Sequence, residues 1–507
     1  MKPTLLPRGL VLLSLVVLTS GASADVRLPA IFSDHAVLLS NAPAPVWGWA
    51  DAGEKVEVSF AGQTKSATPD AGGKWTVKLD ALKPGGPHEL TVKGKNTLTV
   101  KDVLVGEVWL GSGQSNMAFL VLGSSTAEQA KAAADLPNIR MFTVTSAAAP
   151  AAQEDCTGEW VVCSPNTVGR FSATLYFCGR EIHKSLGVPV GLIHSSVGGT
   201  PIEWWISPEA QDKSPELKAF FEAVRTDAAH FDAAGAKAKY DKELAAWKEE
   251  VKKARAEKNP LPRAPRDPLT VKARKSDVGG LFNGKIAPLI PYAIRGALWY
   301  QGEANSTATK APFYQIQLPL LVKDWRARWG YEFPFAWAQL PNFGGPSRDW
   351  PTVREGMLKT LALPKTGMGI NIDIGEEKNI HPKNKEEVGR RLSLWALGTV
   401  YGKSVPSTSG PLPAGHEIRG GEVVLKFSHT DGGLVAKGGE LKGFVVAGAD
   451  REWKPALARI EGGTVIVSSP DVKQPAAARY AWENFPTCNL YNGAGLPASP
   501  FRTDDWK

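Results

Sequence analysis

Cysteine is scarce in this chain: four in 507 residues, at positions 156, 163, 178 and 488. So few exclude a disulfide scaffold for a protein of this length, and no spacing among them suits a zinc site. Cys156 and Cys163 flank Trp160 and stand close enough in sequence to close a small bridge, whereas Cys178 and Cys488 read as buried thiols. Past the first 24 residues there is no uninterrupted run of the ~20 apolar residues that a spanning helix needs, so no membrane span is expected. Phosphate loops and dinucleotide fingerprints are missing too, since Gly198-Gly199 lacks the third glycine of such a motif. Neither a metal nor an organic cofactor is therefore expected. Charge of one sign is not dominant: the formal +8 becomes +6 when the two charges of Lys2 and Arg8 are removed. Lysines concentrate in residues 235–275, which reads as a solvated helical surface and not as a nucleic-acid patch.

What is present begins with a leader. Met1 to Arg8 is basic, Gly9 to Leu18 mostly apolar, and Ala22-Ser-Ala24 offers a small-residue cleavage site. Residues 1–24 are thus expected to be a signal peptide, and the mature protein to be secreted or periplasmic. From 25 to 101, short alternating segments such as Val56–Phe60 and Trp75–Leu79 are separated by Gly, Pro and Asp turns, which predicts a small β-sandwich. From 102 to 403, buried strand-like runs alternate with helical patterns, for example 171–186 and 313–329; this predicts an α/β domain with a mainly parallel sheet. An Ala/Lys/Glu-rich helical segment within 207–275 interrupts it, either as a lid or wall of the site or as a solvated helical hairpin. A Pro/Gly/Ser-rich stretch, 404–415, leads into a β-rich unit that completes 404–507. No internal repeat is visible.

Four segments carry the chemistry. In Gly106-Glu-Val-Trp-Leu-Gly-Ser-Gly-Gln-Ser-Asn-Met117, an apolar strand runs into a tight loop presenting Ser115. This is not the Gly-x-Ser-x-Gly elbow of α/β-hydrolases, because Met117 stands where the second glycine belongs. In Gly191-Leu-Ile-His-Ser-Ser-Val-Gly-Gly-Thr200, paired glycines allow backbone N–H groups to approach a ligand, as an oxyanion hole requires; a plain turn with a solvent-facing Thr200 is the alternative. In Ile294 to Asn305, an apolar run ends in Gln301, Glu303 and Asn305; amides can donate to an oxyanion and a carboxylate can orient a histidine. The last segment, Ile370 to Lys385, carries His381 before a helical pattern over 386–397, whose opening Pro382 suits. Serine needs an adjacent base, and of the eight histidines His381 has the best setting, with His194 as rival. Aromatic faces stack on sugar rings, and of the 17 tryptophans Trp204, Trp205 and Trp299 lie beside these loops, while the ordinary expectation for most of the 17 is that they fill cores.

Together, Gly113-Gln-Ser-Asn-Met117, Ser195-Ser-Val-Gly-Gly-Thr200, Trp299-Tyr-Gln-Gly-Glu-Ala-Asn305 and Ile380-His-Pro-Lys-Asn-Lys385 resemble the sialate O-acetylesterase family within the SGNH hydrolases. Leu281-Phe-Asn-Gly284 and the tail Asn489 to Asp504 extend the resemblance over most of the mature chain. It implies a flavodoxin-like three-layer SGNH hydrolase domain with flanking β-sandwich-like domains, hydrolysing acetyl esters on sugars through an acyl-enzyme. Carried over by position, Ser115 is the nucleophile and His381 the base. The N–H groups of Ser115 and Gly199 become oxyanion donors, Gln301 or Asn305 a side-chain donor, and Asn116 a substrate-binding residue.

One departure stands out. SGNH enzymes commonly place an aspartate two or three residues before the histidine, where this chain has Asn379 and Lys378. Glu303 is the preferred orienting acid; Asp373, Glu376 or Glu377 acting locally, or a dyad, are the other options. The expected function is a serine carbohydrate esterase whose partner is an O-acetylated carbohydrate, sialic acid and xylan both being plausible substrates. The alternative is a catalytically impaired glycan-binding protein on the same scaffold.

Overall fold

The computed structural model describes residues 25–222, 232–257 and 278–506 apart from 346–347, with some residues of 259–268. The expected leader and part of the expected insertion lie outside the described residues.

The last part of the strand Thr97–Gly113 is the axis of the molecule. Its first residues, Thr97 to Asp102, alternate in exposure, whereas every residue from Val103 to Gly113 is buried. That change matches its two environments. The first half pairs antiparallel with Gly85–Lys93, and Leu104 to Gly106 lie alongside Val37–Leu39 in an N-terminal β unit; the second half is a central strand walled on both sides. One strand therefore runs through the boundary expected at residues 101 and 102.

The central sheet has the order Thr366–Gly369, Phe335–Ala338, Gly296–Tyr300, Thr97–Gly113, Val190–Ser196, Ile139–Thr143 and Trp160–Val162. Neighbours run parallel except at the Trp160–Val162 edge, which is antiparallel. Helices cover both faces, as alternation along the strands shows. Trp109 meets Trp395 of the helix Lys385–Trp395, and that helix packs on Ala173–Leu186. On the opposite face, Trp299, in register with Ser112, meets Trp325 of the helix Tyr314–Trp329. From Thr97–Gly113 the chain builds first toward one side of the sheet, then crosses to Gly296–Tyr300 on the other. Such a reversal leaves a crevice at the carboxyl ends of the two strands.

The C-terminal part forms two four-stranded antiparallel sheets with a core of their own, including Val423, Leu425, Val446, Val467, Tyr480 and Phe501. The strand Leu412–Arg419 already occupies the end of the stretch expected to be a linker. Within the insertion, the helix Ala233–Ala256 buries no residue along its 24 positions, so its lysines and glutamates are solvated on all sides. No described helix is long and apolar enough to cross a membrane. The small bridge expected between Cys156 and Cys163 is absent: all four cysteines are free thiols, and burial pushes the thiols of Cys156 and Cys163 up to about 12.

Arg354 fastens the C-terminal part to the sheet. Its guanidinium is fully buried and donates to the carbonyls of Leu340 and Pro341 on one side and of Glu483 and Asn484 on the other. Arg354→Met would strand two buried and two part-buried acceptors, so we expect a loss of about 3 kcal/mol in denaturant unfolding. A change below roughly 1 kcal/mol would show that these bonds do not hold the two parts together.

Candidate active site

Ser115 stands where it does because residue 113 is glycine. Gly113 has φ +137°, and a Cβ there would lie 2.1 Å from the carbonyl oxygen of Tyr300. The chain thus turns against the end of the neighbouring strand, with Gln114 N–H donating to that same carbonyl at 2.9 Å. A single turn, Ser115–Ala118, follows. Met117, fully buried, anchors it in the core, and its carbonyl accepts from Ser172 Oγ at 2.6 Å. The missing second glycine of an elbow is therefore a core anchor.

His381 reaches the same crevice from the loop after Thr366–Gly369, and its Nε2 lies 2.8 Å from Ser115 Oγ. These residues are 266 positions apart in the chain. The helix after His381 begins at Lys385 under an Asn384 cap, three residues later than Pro382 suggested, and its cap accepts from Glu387 N–H at 3.2 Å. His194, the rival, is elsewhere: its Nε2 is 2.5 Å from Ser196 Oγ, and burial holds its pKa down at about 3. The glycine pair lies beside Ser115. A Cβ on Gly198 would sit 3.5 Å from Ser115 Cβ, and Gly199 takes a left-handed φ of +74°. Thr200 does not face solvent; its hydroxyl donates to Val197 O and accepts from Trp205 Nε1.

Three expectations change here. Gln301 and Asn305 are both fully buried and their donors are already occupied. Gln301 Nε2 faces Gln114 Oε1, Thr200 O and Asn305 Oδ1; Asn305 Nδ2 donates to Glu203 Oε2, while its Oδ1 accepts from Ile202 N–H. They tie the Ser115 loop, the glycine loop and their own loop together from behind and present no donor to an oxyanion. Asn116 is likewise fully buried, its amide spanning Lys385 Nζ, Glu303 Oε1 and the carbonyl of Ile380. It faces protein groups and not substrate.

Glu303, the preferred orienting acid, meets Asn116 through one carboxylate oxygen, and its other oxygen has no hydrogen-bond partner among the described residues. Burial raises its pKa, opposed by the Asn116 bond and by the charges of Lys385 and Arg348. The other carboxylates are engaged as well. Asp373 forms a two-point ion pair with Arg391 and accepts from Tyr491. Glu376 accepts from Lys383 N–H and from Asn379 Nδ2, contacts that hold its pKa low. The tryptophans expected to face sugar belong to the core: Trp205 and Trp299 are fully buried and packed edge to face at 5.9 Å, and Trp204 is buried too.

Sequence reasoning passed over Lys385, Gln114 and the Glu203–Lys310 ion pair, at 2.7 Å, that backs Asn305. For Lys385 a signal existed, since it closes the Ile380–Lys385 motif that carries His381.

With this geometry in view, the relatives are informative. A sequence profile described as carbohydrate esterase, sialic acid-specific acetylesterase, matches residues 105–254. The chain is 30% identical to the sialate O-acetylesterase of Rattus norvegicus, over 98% of this chain and 97% of that protein. The chain belongs to the sialate O-acetylesterase family. The Homo sapiens sialate O-acetylesterase is 28% identical over 97% of this chain and 95% of its own length. Among solved structures, a carbohydrate acetylesterase from Xanthomonas citri shares 36% identity, covers 95% of this chain and 100% of its own, and superimposes with a TM-score of 0.80. The protein is thus a sialate O-acetylesterase-like carboxylic ester hydrolase.

Within this family member, Asn379 occupies the place where an aspartate is expected, and its amide has its own task. Oδ1 accepts from His381 N–H at 3.0 Å, while Nδ2 donates to His381 O and Glu376 Oε2, both at 2.9 Å. A carboxylate cannot make the last two bonds. Asn379→Asp is therefore expected to lower kcat/KM by about tenfold or more, through two lost bonds and repulsion from Glu376. A rise in kcat would show instead that the position accepts a triad acid.

Proposed function

We propose that this protein is a secreted serine esterase that removes O-acetyl groups from carbohydrates through an acyl-enzyme, with Ser115 as nucleophile and His381 as general base. The observation that carries this reading is the 2.8 Å contact between His381 Nε2 and Ser115 Oγ at the strand-order reversal of the sheet. In this reading the catalytic unit is an SGNH hydrolase domain of flavodoxin-like topology over 102–403, flanked by β units at 25–101 and 404–507, and residues 1–24 direct export.

The chemistry follows from the pair. His381 Nε2 takes the Ser115 proton as Oγ adds to the acetyl carbonyl carbon, placing negative charge on the carbonyl oxygen. The N–H groups of Ser115 and Gly199 are the donors assigned to that oxygen, since the glycine pair lies beside Ser115 and Gly199 takes a left-handed φ of +74°. Collapse expels the sugar hydroxyl, which receives the proton from His381, and leaves acetyl on Oγ. Water, deprotonated by His381, then adds to the same carbon, and the bond to Oγ breaks as His381 returns that proton to Ser115 Oγ, releasing acetate and restoring the pair. No step calls on a metal or cofactor.

Relatives named for sialate and for carbohydrate acetyl esters support O-acetylated sialic acid as the first substrate to try, with acetylated xylan beside it. Acetate release from at least one of them is expected, falling by about 10³-fold or more in Ser115→Ala. Undiminished release by Ser115→Ala would reject the serine mechanism, and absence of release by the folded wild type would favour a glycan-binding role.

A further inference from the structure

Lys385 is fully buried beneath the Ser115 loop, a place where an apolar side chain of similar length would cost nothing in desolvation. Its ammonium stands over the rings of Phe119 at 4.9 Å and Tyr300 at 5.2 Å, and its Nζ donates to Asn116 Oδ1 at 2.5 Å. The Asn116 amide then reaches Glu303 Oε1 and, at 3.0 Å, the carbonyl of Ile380 through its Nδ2. Asn116 follows Ser115, and Ile380 precedes His381. One buried amide thus crosslinks the two loops a single residue away from each reacting group.

The orientation of that amide is dictated by chemistry. An ammonium only donates and an ionised carboxylate only accepts, so Asn116 must turn its oxygen to Lys385 and its nitrogen to Glu303. Only that orientation leaves an N–H for Ile380 O. The amide dipole lies between a positive and a negative group, each favouring the same rotamer.

We propose that Lys385 is a positioning residue for the Ser115–His381 pair: with Glu303 as its counter-charge, its ammonium locks the Asn116 amide in the orientation that staples the two loops together. This rests on the serine–histidine reading above and adds to it a proton whose presence the active geometry requires. The charged groups facing Lys385 are Glu303, from the loop after Gly296–Tyr300, and Glu376, from the loop before His381; Arg348 donates to the Glu303 carbonyl from a third segment. Burial outweighs both carboxylates and lowers the Lys385 pKa to about 7, within reach of an ordinary assay. Deprotonation weakens the hold on Asn116 Oδ1, so turnover should fall as pH rises through that range.

The test is the pH profile of kcat and KM for the wild type, Lys385→Met, Glu303→Gln and Ser115→Ala on one acetyl ester. In Lys385→Met, kcat should fall about 100-fold with KM changed less than about threefold, and the alkaline decline of kcat should disappear. In the near-isosteric Glu303→Gln, which keeps an acceptor for Asn116 but removes the counter-charge, that decline should move about one pH unit or more toward acid. The second variant keeps the test decisive if Lys385→Met does not fold. A decline that stays in place in Glu303→Gln, or persists in Lys385→Met, while Ser115→Ala is inactive, would overturn the role of Lys385 alone. Activity retained by Ser115→Ala would overturn the serine–histidine reading and this inference with it.

Discussion

A strand that must turn against the carbonyl of its neighbour at the point where a parallel sheet reverses its order has room for hydrogen alone at the turn. Gly113, whose Cβ would lie 2.1 Å from Tyr300 O, meets that constraint, and the rest of the site depends on it. The turn lifts Ser115 out of the sheet edge, Met117 locks the following residues into the core, and the loop from Thr366–Gly369 brings His381 within 2.8 Å. Side chains from the glycine loop and from the loop after Gly296–Tyr300 then fill the space behind, so the crevice is built from the chain segments that the reversal gathers.

Behind that crevice lies an unusual concentration of buried polar groups. Gln301, Asn305, Glu203, Asn116, Glu303 and Lys385 are all buried, and each bonds to a group from a different loop. Such a network is costly to bury and rigid once satisfied. Its bonds run between loops and not toward the open face, which points to alignment of Ser115 and His381 as its physical purpose. The second oxygen of Glu303, without a partner among the described residues, is the exception, and the lysine across the Asn116 amide offsets the charge of that carboxylate.

Much of this was legible in the sequence, for identifiable reasons. A strand running into a Gly/Ser loop and a histidine on a loop before a helix are local patterns, and both residues meet. The alternation along residues 56–60 and 75–79 likewise corresponds to the strands Val56–Phe60 and Lys74–Leu79. What failed was the reading of polar residues at strand ends. Gln301 and Asn305 suggest donors to an oxyanion because amides can serve as such, but their full burial is set by loops some hundred residues distant. Glu303 was paired with His381 on chemical need, while the partner that packing supplies is Asn116. Trp205 and Trp299 looked like sugar platforms until the helix Tyr314–Trp329 covered them. The cysteines at 156 and 163 are close in sequence, yet each is buried in the core as a free thiol.

The central claim is that Ser115 is made nucleophilic by His381. It is tested most directly by treating the protein, produced from residue 25 onward, with an organophosphonate and mapping the modified peptide by mass spectrometry, beside His381→Ala. A single adduct on Ser115, formed far more slowly in the variant, is the expected result. An adduct on another serine, or equal rates of Ser115 labelling in the two proteins, would contradict it.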